Sequence, residues 1–219
     1  MTAATSSQHQ HGQSDPDIFV RIGGWLFPRR TWLPLPLALA LLLMPSGEPR
    51  RILFFVGIAI VALGELLRLW AVRHIGVISR TRSDRLGPLV ATGPFALVRN
   101  PLYLGNIALW IGFALSARLP WMVPVVVVLL GFEYHAIVRW EEHLLEAQRG
   151  DEYREYAAHV PRWIPKTKRR DQLFSASSAA SAVAFSWRET FFSERGTLLA
   201  IAAGYLLLWI KRGGLGFWF

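Results

Sequence analysis

None of the 219 residues is a cysteine. Without a thiol there is no disulfide framework, no thiolate zinc site, no iron–sulfur cluster and no cysteine nucleophile. A soluble nucleotide-binding domain is also unsigned: no strand leads into G-x-G-x-x-G, and no P-loop is present. Serine-hydrolase and zinc-protease motifs are missing as well. Acidic residues are few, 15 against 24 basic ones, for a formal charge of +9. Charge alone would suit nucleic acid. Here, however, the 53% of apolar residues come in blocks with the basic side chains between them, which is the pattern of a membrane protein. The expected partners are membrane lipids, with no nucleic acid.

Residues 1–17 are polar and read as a disordered leader. No apolar stretch with a small-residue cleavage site follows directly, which argues against a secretory signal. His9 and His11 lack further ligands, and no metal site is expected. From Ile18 to Arg30, Phe19, Trp25 and Phe27 alternate with Arg21, Arg29 and Arg30, a mixture suited to a segment lying on headgroups. Five apolar blocks follow. Trp32 to Met44 is shorter than the roughly 20 residues of a straight span. Ile52 to Val72 is long enough but holds Glu65 and Arg68, which at i,i+3 share a helix face and can pair. Pro101–Ala117 and Leu119–Val138 read as a tight helical hairpin. Thr197–Ile210 is the last and weakest. The expected fold is all-α, with four to five transmembrane helices and a cytoplasmic helical segment. The expected division is a leader (1–17), a membrane domain (18–170, core 52–165), a linker with a surface helix (171–192) and a C-terminal membrane segment (193–219).

The loop from Arg73 to Arg99 carries five arginines against one aspartate, and more basic residues follow the fourth block from Arg162 to Arg170. Basic loops face the cytoplasm, so both ends of the 101–138 hairpin are expected there.

Two segments concentrate polar chemistry at those ends. In the first, Gly87, Pro88, Leu89 and Val90 precede a turn at Gly93-Pro94, then Phe95 and Arg99-Asn100-Pro101-Leu102-Tyr103-Leu104-Gly105. Pro101 suits a first helical turn and Asn100 its N-cap. Backbone N–H groups, a guanidinium and a phenol then meet at one helix start, a cradle for a carboxylate or polar cofactor. The competing reading is a capped membrane helix with a snorkelling Arg99. In the second segment, Arg139 precedes Glu141 and Glu142, and Gly150, Tyr153, Tyr156 and Pro161 follow. Adjacent carboxylates lie about 100° apart around a helix, so one is expected inward and the other in solvent. A solvated helix laced with ion pairs, and tyrosines that only pack, are the competing readings.

In order and spacing, these parts resemble the isoprenylcysteine carboxyl methyltransferase and phospholipid methyltransferase superfamily of integral membrane enzymes. The matching residues are Gly93, Arg99, Pro101, Tyr103 and Gly105, then Glu141 and Glu142, then Gly150, Tyr153, Tyr156 and Pro161. Two positions depart from the family pattern: Asn100 stands where it has His, and Phe95 where it has Tyr. The resemblance implies S-adenosyl-L-methionine bound from the cytoplasmic side. Its lining would be residues 87–90, Gly93, Phe95 and Asn100 to Tyr103, with Glu141 and Glu142 as the acidic pair and Glu142 as contact. It implies catalytic roles for Arg99 and for Arg139, which sits three rather than four residues before Glu142. The implied acceptor is a lipophilic small molecule or lipid, such as a prenylcysteine-like carboxylate or a phospholipid amine. Two other functions stay open, a non-catalytic scaffold of the same fold and an NADPH-dependent membrane reductase.

Overall fold

The computed structural model describes residues 17–48, 50–76, 89–165, 186–211 and 213; Gly87, Pro88 and nearly all of the leader lie outside them. Among the described residues every regular element is helical. Asp17 caps α1 (Ile18–Leu26), its side chain accepting from the Phe19 N–H. A 3-10 turn at Phe27–Arg29 leads to α2 (Leu35–Leu43), which starts on Pro34 and Pro36. That block therefore yields nine helical residues, too few to cross a bilayer.

Three helices are long and apolar enough to span: α3 (Arg51–Ile75), α5 (Met122–Arg149) and α7 (Trp187–Lys211). Helix α4 (Pro101–Ser116) is shorter, about 24 Å at 1.5 Å per residue. The hairpin expected between α4 and α5 is present, turned by Arg118 in the left-handed region at φ 61°. Two expectations change. The polar helical stretch expected from Arg139 to Ala158 is divided: its first part is the last turns of α5, which runs unbroken to Arg149, and the rest is a separate helix. Gly150, at φ 53°, ends α5 and redirects the chain into α6 (Asp151–His159), a conformation that costs glycine least. At the other end, the surface helix expected at 187–192 and the last apolar block are one continuous helix, α7.

Small residues let α3 and α4 pack backbone to backbone. A Cβ on Gly64 would lie 2.9 Å from the Gly105 carbonyl oxygen, and one on Gly112 would lie 2.6 Å from that of Gly57. Helix α7 runs antiparallel to α3: Glu194 meets Arg68 near its start, while Tyr205 meets Phe54 and Ser116 further along. At its end Lys211 Nζ donates to the Leu41 and Met44 carbonyls, closing the C-terminus of α2. Helix α1 lies across α5, with Gly23 against Ala136. The C-terminal halves of α3 and α5 and the N-terminal halves of α4 and α7 therefore share one end of the bundle. Charged side chains collect there, while Phe55, Leu63, Val128, Phe132 and Leu199 expose apolar surface around the outside, as lipid contact requires.

Candidate functional site

A cavity of about 570 Å³ opens at that shared end, within the range that holds a drug-sized ligand. Its upper wall is the segment before α4. Gly93, at φ 60°, turns tightly because the His74 ring fills the place of any side chain; a Cβ there would lie 2.5 Å from the ring. Gly93 thus shapes the wall without lining the cavity. Phe95 follows in a 3-10 turn and is buried against Ala71 and Val90. Leu89, Val90, Phe95, Asn100, Pro101, Leu102 and Tyr103 all line the cavity.

Asn100 holds the N-cap position of α4, but its side chain does not cap. Instead Nδ2 donates to the Arg162 carbonyl at 3.2 Å, and the Arg99 N–H donates to that of Pro161 at 2.9 Å. The chain after α6 is thereby tied to the start of α4. Tyr156 adds a third tie, its hydroxyl donating 2.8 Å to the buried Phe95 carbonyl. The tyrosine pair packs, as the competing reading had it, and the packing fixes the wall of the cavity.

Both glutamates turn inward, so the expectation that one meets solvent is corrected. Glu141 Oε1 accepts from the Tyr103 hydroxyl at 2.9 Å. Glu142 accepts from Arg99 Nη1 at 2.8 Å and from Arg162 Nε at 2.9 and 3.1 Å, with Arg162 Nη2 also on Oε2. The reason is that α5 lies in a groove between two other parts of the chain: α4 flanks one glutamate and the 161–162 segment the other. Hydrogen bonds to Glu142 hold the Arg162 guanidinium above its ordinary pKa. Burial, aided by the Glu142 charge, pushes the Tyr153 hydroxyl up to about 12, so it remains a neutral partner for Arg99.

Arg99 stands in the cavity. Arg139 points elsewhere: its guanidinium pairs with Asp17 at 2.7 Å, half in solvent, and faces a second, shallower cavity that also touches Arg99 and Glu142. The pairing explains the separation: Asp17, the cap of the α1 helix that lies across α5, holds the guanidinium at that side.

Sequence reasoning missed Arg30. Taken for a headgroup anchor, it enters the cavity because α1 and the following turn dock on α5; it stacks over Phe27 at 3.8 Å. It missed Glu194 and Thr197 too, which reach the deep end of the cavity from α7 beside Arg68 and Asn106. One signal was available, since ionisable residues inside apolar helices mark functional interiors.

Three helices long and apolar enough to span, around a cavity lined by polar and apolar residues, define a helical membrane protein. Residues 52–151 match the family model for phospholipid methyltransferases. The protein-S-isoprenylcysteine O-methyltransferase B of Arabidopsis thaliana is 27% identical over 113 residues, 50% of this chain and 57% of that protein. Phosphatidyl-N-methylethanolamine N-methyltransferase of Saccharomyces cerevisiae is 33% identical over 91 residues, 40% of this chain and 44% of that protein. The nickel-cobalt-cadmium resistance protein NccN of Alcaligenes xylosoxydans xylosoxydans is 28% identical over 114 residues, 52% of this chain and 50% of that protein. The chain spans about half the length of the curated relatives it matches. No solved structure matches it. The resemblance read from the motifs therefore holds for 52–151, while α1, α7 and nearly all of α6 lie outside the matched segment.

Proposed function

We propose that the protein is an integral membrane methyltransferase that moves the methyl group of S-adenosyl-L-methionine to a lipophilic acceptor. The observation that carries this reading is the cavity itself: the motif residues of the matched segment line it from Phe95 to Glu142, where the spans meet the charged loops. Its donor set suits the cofactor. Arg30 Nη1 and Arg99 Nε are buried without a hydrogen-bond partner among the described residues, and a carboxylate such as that of a bound amino-acid moiety would satisfy them. Phe95, Leu102 and Trp140 give apolar walls for a flat ring.

When bound, the cofactor supplies an already activated sulfonium methyl. What remains for the chain is to position and to exclude water. Glu142 holds Arg99 and Arg162 in place, and Glu141 fixes the Tyr103 hydroxyl. Asn100 cannot serve as the base that the family His would provide, so it acts here by tying the 162 segment over the site. Basic residues in the neighbouring loops favour a cytoplasmic opening for the cofactor. The acceptor enters from the bilayer, between α3, α4 and α7.

Calorimetry of the detergent-purified protein with S-adenosyl-L-methionine tests this directly. A saturable heat is expected; no saturable heat would overturn the reading and favour a scaffold of the same fold. A spectral titration with NADPH should show no binding at the same cavity.

A further inference from the structure

The second cavity, about 520 Å³, lies between the start of α1, the last turns of α5 and helix α6. Arg99, Glu142 and Tyr153 line both cavities. Their side chains are joined: Arg99 Nη1 donates to Glu142 Oε1 at 2.8 Å and to the Tyr153 hydroxyl at 3.4 Å. Three hydrogen-bonded side chains thus form a partition, and side chains move far more readily than helices do. Exposure falls stepwise along the second cavity. The Arg154 and Glu146 side chains are 57% and 50% exposed, Arg139 and Asp17 36% and 40%, Arg162 25%, and Arg99 and Glu142 only 14% and 13%. The second cavity leads from water down to the partition, and the first lies behind it. By contrast α3 and α7, which also wall the first cavity, turn apolar side chains such as Leu63 and Leu199 outward, a poor route for a charged ligand.

The partition is unevenly held. Arg162 grips both Glu142 oxygens through Nε and Nη2, so Glu142 stays paired when Arg99 turns away and no buried carboxylate is stranded. Arg99 is anchored at its backbone, where its N–H donates to the Pro161 carbonyl at 2.9 Å. Its guanidinium, however, makes its hydrogen bonds through Nη1 alone among the described residues, and Nε is buried without a partner.

We propose that the second cavity is the water-side entrance to the first, and that the Arg99 side chain is the bar a polar ligand passes. The inference rests on the methyltransferase reading above, whose S-adenosyl-L-methionine is that ligand. Arg99 swings aside while Arg162 keeps Glu142, and the ligand's carboxylate then satisfies Nε as the bar returns. The absence of cysteine allows a direct test. Ala158 is exposed on the second cavity, so Ala158→Cys places the chain's single thiol in the entrance. A biotin-bearing methanethiosulfonate, added to the folded protein, plugs it through a mixed disulfide that dithiothreitol removes. Exchange of labelled S-adenosyl-L-methionine is followed by rapid filtration. Plugging is expected to slow association and release alike, by about tenfold or more, with affinity unchanged, because an obstructed route raises one barrier for both directions. Reduction should restore both rates, and the reagent should not affect the unaltered chain. Arg162→Met, which leaves Glu142 only Arg99 as a partner, should also slow exchange; faster exchange there would remove Arg99 as the bar. Rates unchanged by plugging would overturn the entrance, as would weakened affinity at unaltered association, which marks a resting place and not a passage. If Ala158→Cys does not yield folded protein, His143→Cys, exposed on the α5 side of the same cavity, is plugged in its place. Failure of the methyltransferase reading shows differently: the unaltered chain would retain no labelled S-adenosyl-L-methionine at all.

Discussion

Around Glu142 two guanidiniums share one carboxylate, whereas around Arg68 two carboxylates share one guanidinium. The two knots lie at opposite ends of one cavity and carry opposite excess charge. Their surroundings differ as well. The outer knot is made at helix ends and by the chain after α6, where the Arg99 N–H and the Asn100 side chain hold it. The inner knot sits within the helices, and its partners come from α3, α4 and α7.

Breaking the inner knot should have the largest effect. Arg68→Met leaves two buried carboxylates without their cation and is expected to cost about 3 kcal/mol or more of stability, read as a fall in the thermal unfolding midpoint in detergent. A shift no larger than that of a lipid-facing control such as Leu63→Ala would show that the knot is not a structural charge centre. At the outer knot the effect should be on binding. Glu142→Ala sets Arg99 and Arg162 against each other, and S-adenosyl-L-methionine should bind about tenfold more weakly or worse; unchanged affinity in calorimetry would remove Glu142 from the site.

Smaller changes sharpen the contrast, because the outer end depends on single ties. Tyr156→Phe strips the Phe95 carbonyl of its buried donor and should cost about 1–2 kcal/mol, measurable by chemical unfolding, with the deep end untouched. Smallest is a titration that is silent at neutral pH. Tyr153 should ionise only near pH 12, above the ordinary tyrosine value of about 10. Because its folded pKa is raised, its contribution to stability is complete below pH about 10 and declines as pH climbs toward 12. The absorbance difference between the unaltered chain and Tyr153→Phe follows this, and ionisation near 10 would mean that the hydroxyl is not shielded.

Much of the outer end was legible beforehand. Proline and glycine at 93–105, the paired glutamates and Gly150 are local signals, and local signals survive without knowledge of packing. Asn100 shows the limit: its place at the helix start was readable, but its hydrogen bond runs to residue 162, which only the returning chain supplies. Arg139 shows another, since one residue of helical offset decides whether a side chain enters a cavity or leaves it. The pairing of Glu65 with Arg68 was readable from their spacing. That Glu194 and Thr197 complete it was not, because more than 120 residues intervene and no periodicity marks which helix faces which.

By itself, then, the sequence determined the all-helical membrane class, the α4–α5 hairpin and which residues cluster at the outer end of the cavity. Each depends on apolar run length, on backbone-restricting residues, or on charges within a few residues of one another. Tertiary structure alone decided that Arg30 and Glu194 face one cavity, that both glutamates of the pair turn inward, and that Arg139 turns away. Those outcomes follow from which helix surfaces can approach closely, and at Gly57, Gly64, Gly105 and Gly112 it is the missing side chains that let α3 and α4 do so.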